Sequence, residues 1–481
     1  MNIAVLLPEI TLFCGGLFIL LLDVFFGKKN HDFFYFTHLL SLLVCALAIG
    51  FTFKNFVIND YFFNKLFHNN PLISLAKSFL ILLLTIVILM SIRFVNSIKK
   101  FSAEFLVLVL FSCVGGLIMI ASNDFLVFYL GLELQALSFY LLSSINTSSA
   151  KSSEAGLKYF ILGSLASGIL LYGISLIYGF MGTTNFSEIA NLVELQKNDV
   201  PVGFLLGLIL VLIAMFFKLS NAPFHMWSPD VYEGSPTIVA TLFATVGKFS
   251  AVLALTLLLY NFSWVILSKI MGLVGLLSII VGAFGAIFQK NFKRLLAFSS
   301  ISHVGFIILG FAGLGKNVVV SVIFYIFIYS LITIGSFGFL NLITSKNQID
   351  NDEEDNKIFK ISSLSGLSKT NSVMALCLSL LMFSSAGIPP LAGFFSKFYI
   401  ISATISSGFL ILAIIAIIFS VVSAFYYLRI IKIIYFDKPK DIIDLDDSLA
   451  IKAIIIFSTI LNFVMLFFIE NIFTLLNGFM L

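Results

Sequence analysis

Apolar runs of 18 or more residues recur along almost the whole chain, and that feature decides what it can fold into. At about 1.5 Å per residue, each run is long enough to cross a hydrocarbon core of about 30 Å as a helix. Lipid offers no water to backbone N–H and C=O groups, so such segments must satisfy their hydrogen bonds internally. Composition agrees: of 481 residues, 60% are hydrophobic, 11% are charged, and Phe alone supplies 56. A soluble domain has roughly a quarter of its residues charged and could not cover so much apolar surface. The sequence therefore predicts an all-α membrane protein with about 14 transmembrane helices. The spans read as 3–26, 33–53, 72–93, 102–121, 125–146, 157–180, 202–222, 237–261, 265–288, 295–314, 318–342, 372–402, 409–435 and 452–476. The first has no basic flank, contains Glu9 and is too long for a signal-peptide core, so it is expected to be a retained span.

Several function classes drop out. Cys14, Cys45, Cys113 and Cys377 all fall in apolar runs, with no CxxC pair and no His at ligand spacing, so they read as core thiols and no metal site is expected. The sequence contains no Gly-rich phosphate loop, zinc motif or nucleophile elbow, which argues against a self-contained redox enzyme. The net charge of +4 is distributed in a way that membrane insertion explains without nucleic acid. Sorting Lys and Arg by alternate sides of the predicted spans gathers most of them on one face, including Lys28, Lys29, Lys99, Lys100, Lys290, Lys293, Arg294, Lys438 and Lys440. Only Lys54, Lys65, Lys197, Lys269 and Lys316 fall on the other. The richer face is assigned to the cytoplasm by the positive-inside rule, which puts both termini on the non-cytoplasmic side. The connection 342–371 carries Asp350, Asp352, Glu353, Glu354 and Asp355 and reads as a solvated linker, the natural hinge between the eleventh and twelfth spans.

Lys77, Lys158, Lys218, Lys248 and Lys397 remain inside spans. A lysine at a helix centre costs about 2.5–3.5 kcal/mol, so each needs a partner or a purpose. Lys77 and Lys158 lie close enough to span ends for snorkelling to compete with a functional reading. Lys248 follows Pro236 by about 18 Å of helix, which brings it near mid-bilayer. Glu133 has apolar flanks of roughly 12 Å on either side and is the deepest carboxylate, whereas Glu9, Asp23 and Glu104 are expected at the interface.

Two spans are interrupted. Pro223, Pro229 and Pro236 follow Lys218, and Pro389 and Pro390, flanked by Gly387 and Gly393, precede Lys397. Irregular backbone at membrane depth is tolerated where it is buried in protein or lines a polar cavity, so the breaks point to a pathway. They fall five spans apart, in the seventh and twelfth. Two inverted five-helix repeats, spans 4–8 and 9–13, would place them at equivalent positions. The expected organisation is a three-helix segment over 1–101, repeats over 102–261 and 262–436, and a last helix over 437–481.

Three segments carry a resemblance: 222–237 (APFHMWSPDVYEGSPT), 293–305 (KRLLAFSSISHVG) and 387–397 (GIPPLAGFFSK). Together they resemble the signature segments of the antiporter-like membrane subunits of respiratory complex I (NADH-quinone oxidoreductase). In length, start and helix count the chain is most similar to the subunit N branch. The resemblance covers essentially the whole chain. It implies fourteen helices with broken helices 7 and 12, no cofactor in this subunit, and flavin and iron-sulfur clusters in partner subunits. It also implies a bacterial inner-membrane location among other complex I subunits, with quinone handled by the complex and not by this chain. The subunit would be a non-redox part of a proton-translocating NADH:quinone oxidoreductase. Residue by residue, it implies proton-pathway roles for Glu133, Lys218, Lys248 and Lys397, and lesser ones for His225, Lys158 and His303. His38 matches no such position and is read as structural.

The mechanism this suggests is electrostatic. Pairing of Lys218 with Glu133 would favour the charged forms, and separating them in an apolar setting would release the lysine's proton toward Lys248 and then Lys397 as coupled sites. Moving a unit charge across 100 mV represents about 2.3 kcal/mol, which partner subunits must supply. Two rival readings are a sodium/proton antiporter subunit and a passive scaffold.

Overall fold

A computed structural model describes residues 3–27, 33–98, 102–196, 200–261, 265–313, 316–346, 358–439 and 445–479. The acidic run Asp350 to Asp355 lies outside the described residues, as do Lys28, Lys29, Lys99, Lys100, Lys197 and Lys440. Among the described residues, 13 helices are long and apolar enough to cross a membrane. They match the predicted spans except the twelfth, which is two shorter helices, Ser372–Ala386 and Ala392–Ser406. An eleven-residue helix, Phe186–Gln196, and a small hairpin, Asp60–Phe62 paired with Phe67–Asn69, lie between spans. A search for long apolar runs passes over elements this short.

The chain divides into two compact units. The first comprises Met1–Ile145, Gly156–Leu219 and Val246–Phe262. In it Leu7–Leu22, Phe33–Lys54, Pro71–Ile98 and Ser102–Ala121 form a bundle, with Phe125–Ser143 and Lys248–Asn261 packed on Ser102–Ala121. The Asp124 carboxylate caps Phe125–Ser143 by accepting from the Leu126 and Val127 amides, and this fixes where the helix begins. Phe33–Lys54 is inverted relative to a soluble helix. It buries Thr37, His38, Ser41, Cys45, Ala48 and Thr52, and turns Phe36, Leu39, Leu43, Leu47 and Phe53 outward. In lipid, the outward apolar face costs nothing and helix contacts favour small or polar groups.

The second unit comprises Asn146–Ala155, Ser220–Thr245 and Ser263–Leu481. Val265–Ile287 lies along Phe292–Gly310, and Lys316–Lys346 contacts Ser372–Ala386, Ala392–Ser406 and Leu449–Val464. Asn291 caps Phe292–Gly310 through the Lys293 and Arg294 amides, and Asn371 caps Ser372–Ala386 through the Met374 amide.

Candidate functional site

Glu133 stands one residue before the middle of its helix, half-buried, and its Oε1 accepts a hydrogen bond from the Ser167 hydroxyl on Ala150–Met181. Ser167 is also hydrogen-bonded by Tyr140. The carboxylate therefore ends a line of hydroxyls that joins two helices. Lys218 lies in the last turn of Val202–Leu219, where the helix dipole favours a cation. It is buried at 8% exposure, with its Nζ 5.6 Å from the centre of the Phe139 ring. Its ammonium has no hydrogen-bond partner among the described residues, yet it feels the Glu133 charge. The two groups are thus coupled through space and not in contact.

Lys248 is 3% exposed and opens the helix Lys248–Asn261, directly after a π-helical turn, Phe243–Gly247. A π-turn widens the ladder by one residue and recurs at functional positions. The helix lies against both Ser102–Ala121 and Val202–Leu219, the latter carrying Lys218. Two residues past the lysine, Ser250 joins Gln135, whose amide also donates to the Ser112 carbonyl. That buried amide ties together the helices bearing Glu133 and Lys248. Lys158 sits half-buried on Ala150–Met181.

In the second unit the break between Ser372–Ala386 and Ala392–Ser406 is organised around Lys397, which is 5% exposed. Its Nζ donates to the Ser385 and Ala386 carbonyls, each at 3.0 Å, and to the Ser420 hydroxyl at 3.3 Å. Those carbonyls are the orphans at the end of a half-helix, and the ammonium meets the negative end of its dipole. Gly387 makes this possible: its φ is +83°, and an added Cβ would lie 3.0 Å from Lys397 Cδ. Next to this lysine, His303 is held by two phenols, Tyr325 at 2.9 Å from Nδ1 and Tyr427 at 3.0 Å from Nε2. Tyr427 also hydrogen-bonds Ser299 and the Ser385 side chain. An imidazole, a phenol, a serine and an ammonium are thereby linked within one unit.

His225 is half-buried in the turn before Trp227–Gly234. The turn is held by Ser278, whose hydroxyl accepts from the Ala222 amide and the Asn221 side chain. Beyond it, Arg294 bridges Asp230 and Glu233 at 2.9 Å each, so two of the sequence motifs meet in an ion-paired corner. Glu104 is exposed, as an interfacial residue should be. Glu9 and Lys77 depart from expectation. Neither side chain reaches out to water: they form an ion pair at 2.6 Å, with 5% and 1% exposure. Sequence position along each helix did not show that both face inward and toward each other.

Sequence reasoning also missed Tyr140, Ser167, Gln135, Ser250, Tyr325, Ser385 and Tyr427. In a chain so rich in aromatic and small residues, only the fold separates a phenol beside an imidazole from one facing lipid.

Residues 122–423 match a family described as "NADH:quinone oxidoreductase/Mrp antiporter, TM". A protein of Paramagnetospirillum magneticum named NADH-quinone oxidoreductase subunit N is 40% identical over 96% of this chain and 93% of its own length. One of the same name from Pelagibacter ubique is 41% identical over 97% and 96%. Among solved structures, a chain of respiratory complex I from Thermus thermophilus superposes with a TM-score of 0.81 at 25% identity, covering 97% of this chain and 99% of that one. A chain of an archaeal membrane-bound sulfane sulfur reductase reaches 0.82 at 23% identity, covering 99% and 96%, and shares the fold. With 302 consecutive residues inside the family match and relatives aligned nearly end to end, the chain belongs to the NADH:quinone oxidoreductase/Mrp antiporter transmembrane family.

Proposed function

We propose that this chain is the proton-translocating, cofactor-free membrane subunit of a bacterial NADH:quinone oxidoreductase, driven by redox chemistry in partner subunits. One observation carries the reading: three lysines, Lys218, Lys248 and Lys397, are 8%, 3% and 5% exposed, the first two on helices long and apolar enough to span a membrane and the third on a half-helix of the broken twelfth span. Buried lysines in lipid are costly and mark ion or proton pathways. Each also stands beside a departure from regular helix, at a chain break or a π-turn.

In this reading Lys218 holds its proton while the Glu133 carboxylate is near and releases it as the pair is drawn apart, since an unpaired cation in low dielectric is disfavoured. Lys248 takes up the proton and Lys397 delivers it. His303, through Tyr427 and Ser385, sets the hydrogen-bonding around Lys397, and Lys158 and His225 are subsidiary. Two inverted repeats over 102–261 and 262–436, following a three-helix segment, give each broken helix its counterpart. Flavin and iron-sulfur chemistry reside in the partners, and both termini lie on the non-cytoplasmic side.

The test is proton pumping by the whole complex in vesicles with Glu133, Lys218 or Lys248 replaced by Ala. Quinone reduction with severely reduced pumping is expected. Full pumping with all three neutralised overturns the proposal, and sodium-dependent exchange by a purified assembly lacking flavin and iron-sulfur centres would replace it with an antiporter.

A further inference from the structure

The ion pair Glu9–Lys77 lies outside the set of residues assigned above. Glu9 is on Leu7–Leu22 and Lys77 on Pro71–Ile98, both in the first unit. Beyond their mutual contact at 2.6 Å, neither carboxylate oxygen nor the ammonium has a hydrogen-bond partner among the described residues. A carboxylate offers about four acceptor positions and an ammonium three donors, so most of both is unmet. Burying two ions costs several kcal/mol each, and a close pair recovers this only when further hydrogen bonds complete it. In lipid a polar contact can hold two helices, but here it does so with most of its hydrogen-bonding capacity unused. Helix cohesion alone leaves those unmet donors and acceptors unexplained.

A second polar cluster lies beside it in sequence. From the 60–69 hairpin inward, Asn69 donates to the Asn55 and Ile58 carbonyls, and Ser74 donates to Asn69 Oδ1 and the Asn55 carbonyl. Asn55 in turn donates to the Ala4 and Val5 carbonyls at the start of the chain's first helical turn. Ser74 is one turn before Lys77, and Val5 one turn before Glu9. All three polar side chains are buried. They form a buried polar cluster that runs from the hairpin to the helical turns preceding Glu9 and Lys77. Past the pair, Cys113 on Ser102–Ala121 is within reach of the Glu9 charge and of Cys45 on Phe33–Lys54, which is hydrogen-bonded to Thr85.

We propose that Glu9 and Lys77 form a proton-exchange site, open to water at the hairpin face through Asn55, Asn69 and Ser74. Its ligand is the hydrated proton. Transfer of one proton from the Lys77 ammonium to the Glu9 carboxylate breaks an N–H bond, forms an O–H bond and converts the ion pair to a neutral acid and amine. A proton arriving through the polar cluster adds to the carboxylate instead and leaves Lys77 charged. Both routes populate the Glu9 acid.

Carbodiimides react with a carboxylic acid and not with a carboxylate, so labelling of Glu9 in the assembled complex, read by mass spectrometry either as the N-acylurea on its peptide or as the amide cross-link formed when the Lys77 amine displaces the urea, reports that form. Labelling in the unmodified protein is expected, rising several-fold as pH is lowered. Glu9→Gln removes it. Lys77→Met, which strips the carboxyl of its counter-ion, is expected to label at every pH and shows that the reagent arrives. Glu9 that stays unlabelled, or that labels equally at all pH values, overturns the proposal whatever the variants do.

Discussion

At the scale of single residues, Lys397 shows how an ammonium is kept in a membrane without a carboxylate. Two helix-end carbonyls and a serine hydroxyl satisfy its three donors. The arrangement depends on Gly387, because a left-handed backbone costs a residue with a Cβ about 1–2 kcal/mol and the new carbon would press on the lysine stem at 3.0 Å. Gly387→Ala is expected to lower both the thermal stability of the purified complex and its pumping rate. Gly182 has a φ of +73° with open space around it, so Gly182→Ala should meet the backbone cost alone and leave pumping intact. A pumping rate unchanged by Gly387→Ala would show that the lysine does not need this geometry. Ser167 offers a second check at this scale. Ser167→Ala removes the donor to Glu133 and is expected to slow proton uptake by vesicles several-fold, whereas Ser167→Thr, which keeps a hydroxyl, should largely preserve it.

Elements hold these side chains in place through close backbone approach. Between Ser102–Ala121 and Phe125–Ser143, a Cβ on Gly115 would come 2.5 Å from the Gly131 carbonyl, and one on Gly131 would come 2.8 Å from the Gly115 carbonyl. Small residues at such crossings let membrane helices come together. Gly131 precedes Glu133 by two residues, so Gly131→Val should push the whole glutamate helix outward. Loss of assembled complex on native gels is the expected readout, and normal assembly with normal pumping would refute the role given to this crossing. The hairpin yields a pH effect. His68, half-buried and stacked on Tyr61, is held below its ordinary value of 6.5 by burial, with Asp60 offsetting part of the shift. The folded hairpin thus prefers the neutral ring: it keeps full stability above pH 6.5 and loses it as pH falls below that value. Amide exchange over residues 60–69, corrected for intrinsic chemistry, should be faster at about pH 5 than at about pH 7, and His68→Phe should flatten the difference. Spans were legible in the sequence because membrane-crossing length is a gross property of composition, and so were both interruptions, because Pro223 and Pro389 cannot belong to regular helix. The π-turn before Lys248 was not, since Phe243 to Gly247 reads as ordinary apolar helix.

For the whole molecule, each compact unit contains its own titratable set: half-buried Glu133 with buried Lys218 and Lys248 in the first, buried His303 and Lys397 in the second. The sequence disclosed these members because a charge in an apolar run is conspicuous. It concealed the connecting phenols and hydroxyls, Tyr140, Ser167, Tyr427 and Ser385, because nothing in an apolar run distinguishes them from lipid-facing neighbours. It also concealed the Glu9–Lys77 pair, whose helices are separated by a whole span and meet only in the fold. The relation between the two titratable sets is open to a functional measurement. Sites that pass one proton in series fail together: once a single member is lost, removing a second costs nothing more, and the variants are grossly non-additive. Independent parallel routes would each carry part of the flux, and their losses would combine. In the proposed relay Lys248→Met and Lys397→Met should each abolish this subunit's share of pumping, and the double variant should pump no less than either alone. A double variant with clearly deeper loss than both singles would show two parallel routes, one per unit, in place of the single relay.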